Sequence, residues 1–191
     1  IQGDSKYEAK AEEWYERAIT EARAAARFNP GATNANDQGA PKDEAKAVEW
    51  FQHAAAQGVA SAQQKLGSMY AYGKGVPKDE AKAFEWIQKA ADQGNAQGQV
   101  SLGVLYADGK GLHKNETKAV EWYQKAADQG HAKGQANLGF MYQSGEGVRK
   151  DEAKAAEWFQ KAADQGDAYG QASLGSMYAY GKGVPKDEAK A

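Results

Sequence analysis

The chain has 191 residues, 26% of them charged, with a formal net charge of -2. Basic and acidic side chains nearly cancel, which leaves no cationic excess for a nucleic acid or an anionic membrane surface. The absence of cysteine excludes disulfides, thiolate chemistry and cysteine-based metal sites, and no apolar run reaches the length of a membrane-spanning helix.

The first expected element is one long helix from Tyr7 to about Phe28, carrying Trp14, with Asp4 or Ser5 as its cap. A loop follows, "NPGATNANDQG", whose composition fits neither helix nor strand. Residues 1–40 therefore read as an atypical N-terminal capping helix and loop. The chain begins at Ile1, and removal of a signal peptide and trimming of the chain would look alike at this position.

From residue 41 to residue 191 one pattern recurs every 36 residues. Tryptophans fall at Trp14, Trp50, Trp86, Trp122 and Trp158, each preceded by a glutamate. The pair Leu-Gly recurs at 66–67, 102–103, 138–139 and 174–175, with Tyr70, Tyr106, Tyr142 and Tyr178 three residues after each glycine. A fixed period of this length is the signature of stacked supersecondary units. The stretch "LGSMYAYGKGVPKDEAKA" occurs letter for letter at 66–83 and at 174–191, three periods apart, as expected of a duplicated unit that stacks on itself.

Each unit reads as two short helices. The first, typified by "DEAKAVEWFQHAAAQ", keeps a helical stripe of Ala47, Phe51, Ala54 and Ala55. Asp43, Asp79, Asn115, Asp151 and Asp187 stand where N-caps are needed, and asparagine in place of aspartate keeps the capping oxygen. Gly58, Gly94, Gly130 and Gly166 occupy the left-handed C-cap position. The second helix, typified by "ASAQQKLGSMYAY", has the stripe Ala62, Leu66, Met69 and Tyr70. Its internal glycine, Gly67 and equivalents, costs about 1 kcal/mol relative to alanine, so its recurrence predicts close helix–helix approach. Gly73 and Gly75 make a tight "GKG" loop before the next cap. Helices this short do not persist alone in water and must bury their stripes on their neighbours. The next tryptophan would fall at 194, so the last unit is incomplete and the chain is expected to be part of a longer array or to end in a disordered tail.

The repeated pattern resembles the Sel1-like repeat, a relative of the tetratricopeptide repeat, seen for instance in "AQGQVSLGVLYADGKGLHKNETKAVEWYQKAADQG" from Ala96 to Gly130. The resemblance covers residues 41–191, and residues 1–40 join it only through the helix around Trp14. It implies an all-α fold, a right-handed α/α superhelix (solenoid) of helix pairs in which the Leu-Gly-Tyr helix lines the concave face. It also implies a non-enzymatic adaptor or scaffold for other proteins, bacterial, and periplasmic or secreted in preference to cytoplasmic. Immunity proteins against secreted toxins are among such families.

Catalytic constellations do not emerge. The "GKGVPK" loops follow helices rather than strands and lack a third glycine, so they read as interhelical turns and not phosphate cradles. His53, His113 and His131 lie at differing points of the repeat without metal-ligand spacing and read as solvated surface. The repeated glutamates form a row paired at i,i+4, as Glu85 to Lys89, and not a convergent pair of carboxylates. The tryptophans read as core packing between units. No catalytic residue, metal ligand or cofactor is assigned.

Function is then expected on the positions that vary from unit to unit. On the Leu-Gly-Tyr helices the face opposite the stripe holds Ser61, Gln64, Ser68 and Tyr72; then Gln97, Val100, Val104 and Asp108; then Lys133, Ala136, Phe140 and Ser144; then Tyr169, Ala172, Ser176 and Tyr180. Aromatics beside small residues with few charges suit a protein or peptide segment, and Lys133 is the one cation a phosphate-rich ligand would find there. Val100 and Val104 could equally pack against the next unit. The chain is expected to act as a monomer.

Overall fold

A computed structural model describes residues 40–110, 113–187 and 189–190, with the side chains of residues 40–46 left aside. The described residues hold eight helices and no strand. In chain order they are α1 (Ala40–Ala56), α2 (Ala60–Tyr72), α3 (Glu80–Asp92), α4 (Ala96–Asp108), α5 (Glu116–Asp128), α6 (Ala132–Ser144), α7 (Glu152–Asp164) and α8 (Ala168–Tyr180). The chain divides between Gly98 and Gln99, inside α4, into two compact units. The expected N-terminal capping helix and the loop after it lie outside the described residues.

The helix starts follow from the capping chemistry. Asp79, Asn115 and Asp151 each accept a hydrogen bond from the backbone N–H three residues on, at Lys82, Lys118 and Lys154, which satisfies a donor the helix cannot. The side chain of Asp43, the cap expected for the first repeat, lies outside the described ones. At the other end, Gly94 and Gly130 turn left-handed at φ +84° and +79°, and the N–H of Asn95 and His131 reach back to the carbonyls of Ala90 and Ala126. The second helices end on Gly73, Gly145 and Gly181, also left-handed.

In the first unit, the stripes expected from the sequence are the core. Ala47, Val48, Phe51, Ala54, Ala55, Ala62, Leu66, Tyr70 and Ala83 form one buried cluster, with Met69 packed against it. In the second unit Ala155, Ala156, Phe159, Leu174 and Met177 form another. The internal glycine of the second helix is the closest point of approach. A Cβ built on Gly67 would lie 2.6 Å from Ile87 Cγ1, 3.0 Å from Ile87 N and 3.1 Å from the Ala83 carbonyl. Gly103 meets Tyr123 and Gly139 meets Phe159 in the same way. α2, α4 and α6 therefore each offer a hole, and the residue after the tryptophan of the following first helix fills it.

That geometry refines the role given to the tryptophans: Trp50 and Trp86 do pack against the core of the first unit, but from its margin. Trp86, Trp122 and Trp158 are only half-buried. The lysine three residues on stacks over each indole, with Lys89, Lys125 and Lys161 nitrogens 4.3, 3.8 and 3.9 Å from the ring centroids. The buried anchors are their neighbours Ile87, Tyr123 and Phe159.

Candidate functional site

The residues singled out on the second helices divide by burial. Tyr72 is 76% exposed, Tyr180 73%, Tyr169 47% and Phe140 38%. Asp108, Lys133, Ser144 and Ser176 are exposed, and Ser61, Ser68, Gln97 and Val104 are half-buried. Gln64 and Val100 are buried, so they offer little to a partner. Gln64 instead donates from Nε2 to the Ser68 hydroxyl at 3.0 Å. Ala136 is also buried.

Local structure explains why the exposed aromatics stand where they do. Tyr72 and Tyr180 are the last residues of α2 and α8, immediately before the left-handed Gly73 and Gly181. Phe140 sits one residue after Gly139, so the buried face of α6 points away from it. Tyr169 is the second residue of α8, and its ring meets Phe159 edge-on, centroids 5.9 Å apart at 82°. Tyr169 is thus braced on the core while nearly half of it faces solvent.

Electrostatics around these faces are mild. Lys82, Lys118 and Lys154 lie over the rings of Tyr70, Tyr106 and Tyr142 at 5.2, 5.1 and 5.4 Å. Surface ion pairs such as Lys89–Glu85 at 2.7 Å and Lys150–Glu152 at 2.9 Å neutralise the first helices locally. The Lys150 ammonium holds the Glu152 carboxyl below its usual range. Burial pushes the Tyr123 hydroxyl well above the ordinary tyrosine range, with the Asp108 carboxylate adding to it.

His131 departs from the solvated reading. It is half-buried, and its Nδ1 is enclosed without a hydrogen-bond partner. Burial and then Lys133 lower its pKa, opposed by Asp167. The equivalent Asn95 and Asp167 accept from Gly98 N at 2.7 Å and Gly170 N at 2.8 Å, a cap that His131 does not form.

A second feature escaped the sequence reading altogether. Gln63, Gln99 and Gln135 are buried polar side chains. Gln93, Gln129 and Gln165, at the ends of α3, α5 and α7, donate from Nε2 to their Oε1 atoms at 2.6, 2.7 and 2.7 Å. Gln63 in turn donates to the Ala55 carbonyl at 3.1 Å. One buried amide thus ties the end of one first helix to the end of the next. The signal was present as "AQ" or "GQ" recurring three residues before Leu-Gly, but glutamine at a helix surface carries no burial signature.

Among the described residues no group of three His, Cys, Asp or Glu side chains is placed to hold a metal ion, and no helix is long and apolar enough to cross a membrane. No curated protein matches the sequence. Solved structures do. A protective antigen of uropathogenic Escherichia coli with an SLR fold is 33% identical at a TM-score of 0.72, over 100% of this chain and 47% of its own. A Sel1 repeat protein from Oxalobacter formigenes is 37% identical at 0.70, over 77% and 42%. An immunity protein from Pseudomonas aeruginosa is 26% identical at 0.60, over 89% and 59%. The chain spans less than half the length of the first two. The Sel1 repeat model matches residues 6–21, 25–59, 60–95, 96–131, 132–167 and 168–191. With helical hairpins on that period and solved Sel1 repeat structures superposing on it, the chain belongs to the Sel1 repeat family.

Proposed function

We propose that the protein is a non-enzymatic scaffold that binds a partner protein or peptide segment on the exposed face of its second helices, acting as a monomer. Sel1 repeat proteins in general serve protein interactions. One observation carries the reading here: the large hydrophobic side chains exposed among the described residues are Tyr72, Phe140, Tyr169 and Tyr180, and all four lie on second helices. Exposed aromatics on rigid helices are the side chains that anchor protein partners. The near-neutral charge argues against nucleic acid as the ligand. The test is capture of partners from bacterial lysate by the native chain and by the Tyr72→Ala/Phe140→Ala/Tyr180→Ala variant. A partner lost from the variant while helicity by circular dichroism stays unchanged supports the reading. Undiminished capture refutes it.

The likeness to an immunity protein favours a second reading, in which the partner is a toxin enzyme whose active site the chain blocks. That reading requires a one-to-one complex and loss of the enzyme's turnover on binding. The likeness to a protective antigen supports a periplasmic or secreted location, which cell fractionation tests.

A further inference from the structure

We infer that Asn137 reads the main chain of the bound partner, and that the partner segment is an extended peptide carrying an acidic and an apolar side chain. This rests on the binding role proposed above and names the chemistry of the segment that fills it.

The spacing of the open positions on α6 points to Asn137. Lys133, Asn137, Phe140 and Ser144 follow one another at four, three and four residues, so they share one helical face. Lys133, Phe140 and Ser144 are exposed and Asn137 is half-buried, whereas Ala136, expected on this face from the sequence, is buried. The face stays open although α6 packs against α5 before it and against α7 and α8 after it. In the same register α2 carries Lys65, α4 Ser101 and α8 Ser173, so Asn137 is the one carboxamide among the four.

Other amides of the protein are spent on the fold. Gln135 accepts from Gln165, and Asn95 and Asn115 hold helix caps. The Asn137 side chain makes no hydrogen bond among the described residues and is not sealed from solvent. A carboxamide holds a donor and an acceptor side by side. Its complement is the N–H and C=O of one residue in an extended chain, which point the same way along a strand edge. In a helical partner those groups are used internally. Asn137 therefore selects extended main chain whatever side chain it bears. The flanking residues add side-chain chemistry. One turn before, the Lys133 ammonium forms no ion pair among the described residues, and no carboxylate shares its face of α6. One turn after, the exposed Phe140 ring offers an apolar contact. An acidic group fits the first and an aliphatic or aromatic side chain the second.

The experiment pans a phage-displayed library of short random peptides on the full folded chain. Enriched sequences are then measured as labelled synthetic peptides by fluorescence anisotropy. The expected peptides carry Asp or Glu together with an aliphatic or aromatic residue. Asn137→Ala weakens every one of them about tenfold, the loss of two hydrogen bonds. The variant's thermal stability is unchanged or raised, because alanine is the better helix former and the amide has no partner in the fold to lose. N-methylation of one backbone amide of the peptide gives a comparable loss, and combining the two costs no more than either alone. Lys133→Ala weakens the acidic peptides but not their Asn or Gln counterparts. Binding that Asn137→Ala leaves intact but the Tyr72→Ala/Phe140→Ala/Tyr180→Ala variant abolishes overturns this inference and leaves the scaffold reading standing. Peptides bound as helices, independent losses from Asn137→Ala and N-methylation, or a library that yields no binder also overturn it, and capture from lysate then judges the scaffold reading separately.

Discussion

The recurring glycine of the second helix gives a prediction whose sign is set by packing against the next helix and opposes helix propensity. Gly67→Ala adds a Cβ that would meet Ile87 Cγ1 at 2.6 Å, Ile87 N at 3.0 Å and the Ala83 carbonyl at 3.1 Å. The Ile87 side chain can rotate, but the two backbone atoms move only if α3 moves, and α3 is fixed to α2 by the Gln93–Gln63 bond. Overpacking of this kind costs about 1–3 kcal/mol, whereas alanine gains about 1 kcal/mol of helix propensity. The steric effect wins, and the net loss is about 1 kcal/mol. For a chain of this size that lowers Tm by roughly 2–4 °C. Urea titration followed by circular dichroism measures the loss. A neutral or stabilised Gly67→Ala would refute the claim that close packing and not helix propensity dictates this glycine.

His131→Asn installs the cap that Asn95 makes to Gly98 N and should raise stability by about 1 kcal/mol. Because burial in the folded protein lowers the His131 pKa below the ordinary histidine value of 6.5, folding favours the neutral ring. Stability is full above pH 6.5 and declines as pH falls below it, and urea midpoints at successive pH values should show that slope vanish in His131→Asn. Gln135→Ala removes the acceptor of Gln165 and a donor to the Ala127 carbonyl and should cost about 1–3 kcal/mol, with a Gln135/Gln165 double-mutant cycle showing strong coupling in urea denaturation. Phe159→Ala should cost about 3–5 kcal/mol. Trp158→Ala, the larger truncation, should cost clearly less because its ring is half-exposed under Lys161, and thermal melts of the two variants decide the order.

Much of this architecture could be read from spacing alone. The cap residues and the left-handed glycines recur at one register and have local physical causes, and the buried stripes recur at the same register because helices this short must bury them on their neighbours. The close approach at Gly67 was legible for the same reason, since a residue unfavourable in a helix and present in every copy must be favoured by something outside that helix. What the pattern could not show is which residue fills the hole. Tryptophan is the most regular aromatic, so it reads as the anchor, yet the residue beside it varies among Phe51, Ile87, Tyr123 and Phe159 and is the one buried. Variation there reflects a hole that accepts several shapes, with the glycine supplying the constant part of the fit. The glutamine relay was invisible because its amides are buried by the partner repeat and not by their own helix.

On the candidate interaction face, the same backbone position carries Tyr72, Asp108, Ser144 and Tyr180, and another carries Ser68, Val104, Phe140 and Ser176. Each helix keeps the same 13-residue span whichever side chain it bears there. None of these positions holds a cap, fills a glycine hole or joins the glutamine relay. Substitution at exposed sites away from such features ordinarily changes stability by under about 0.5 kcal/mol, so the fold places almost no constraint on the exposed Tyr72, Phe140, Ser176 and Tyr180. Binding chemistry can change along this face without being offset elsewhere, whereas the same freedom at Gly67, Ile87 or Gln63 would break the stack. That separation is what the proposed binding role asks of the exposed aromatics: side chains whose exposure each helix maintains and whose identity it does not require.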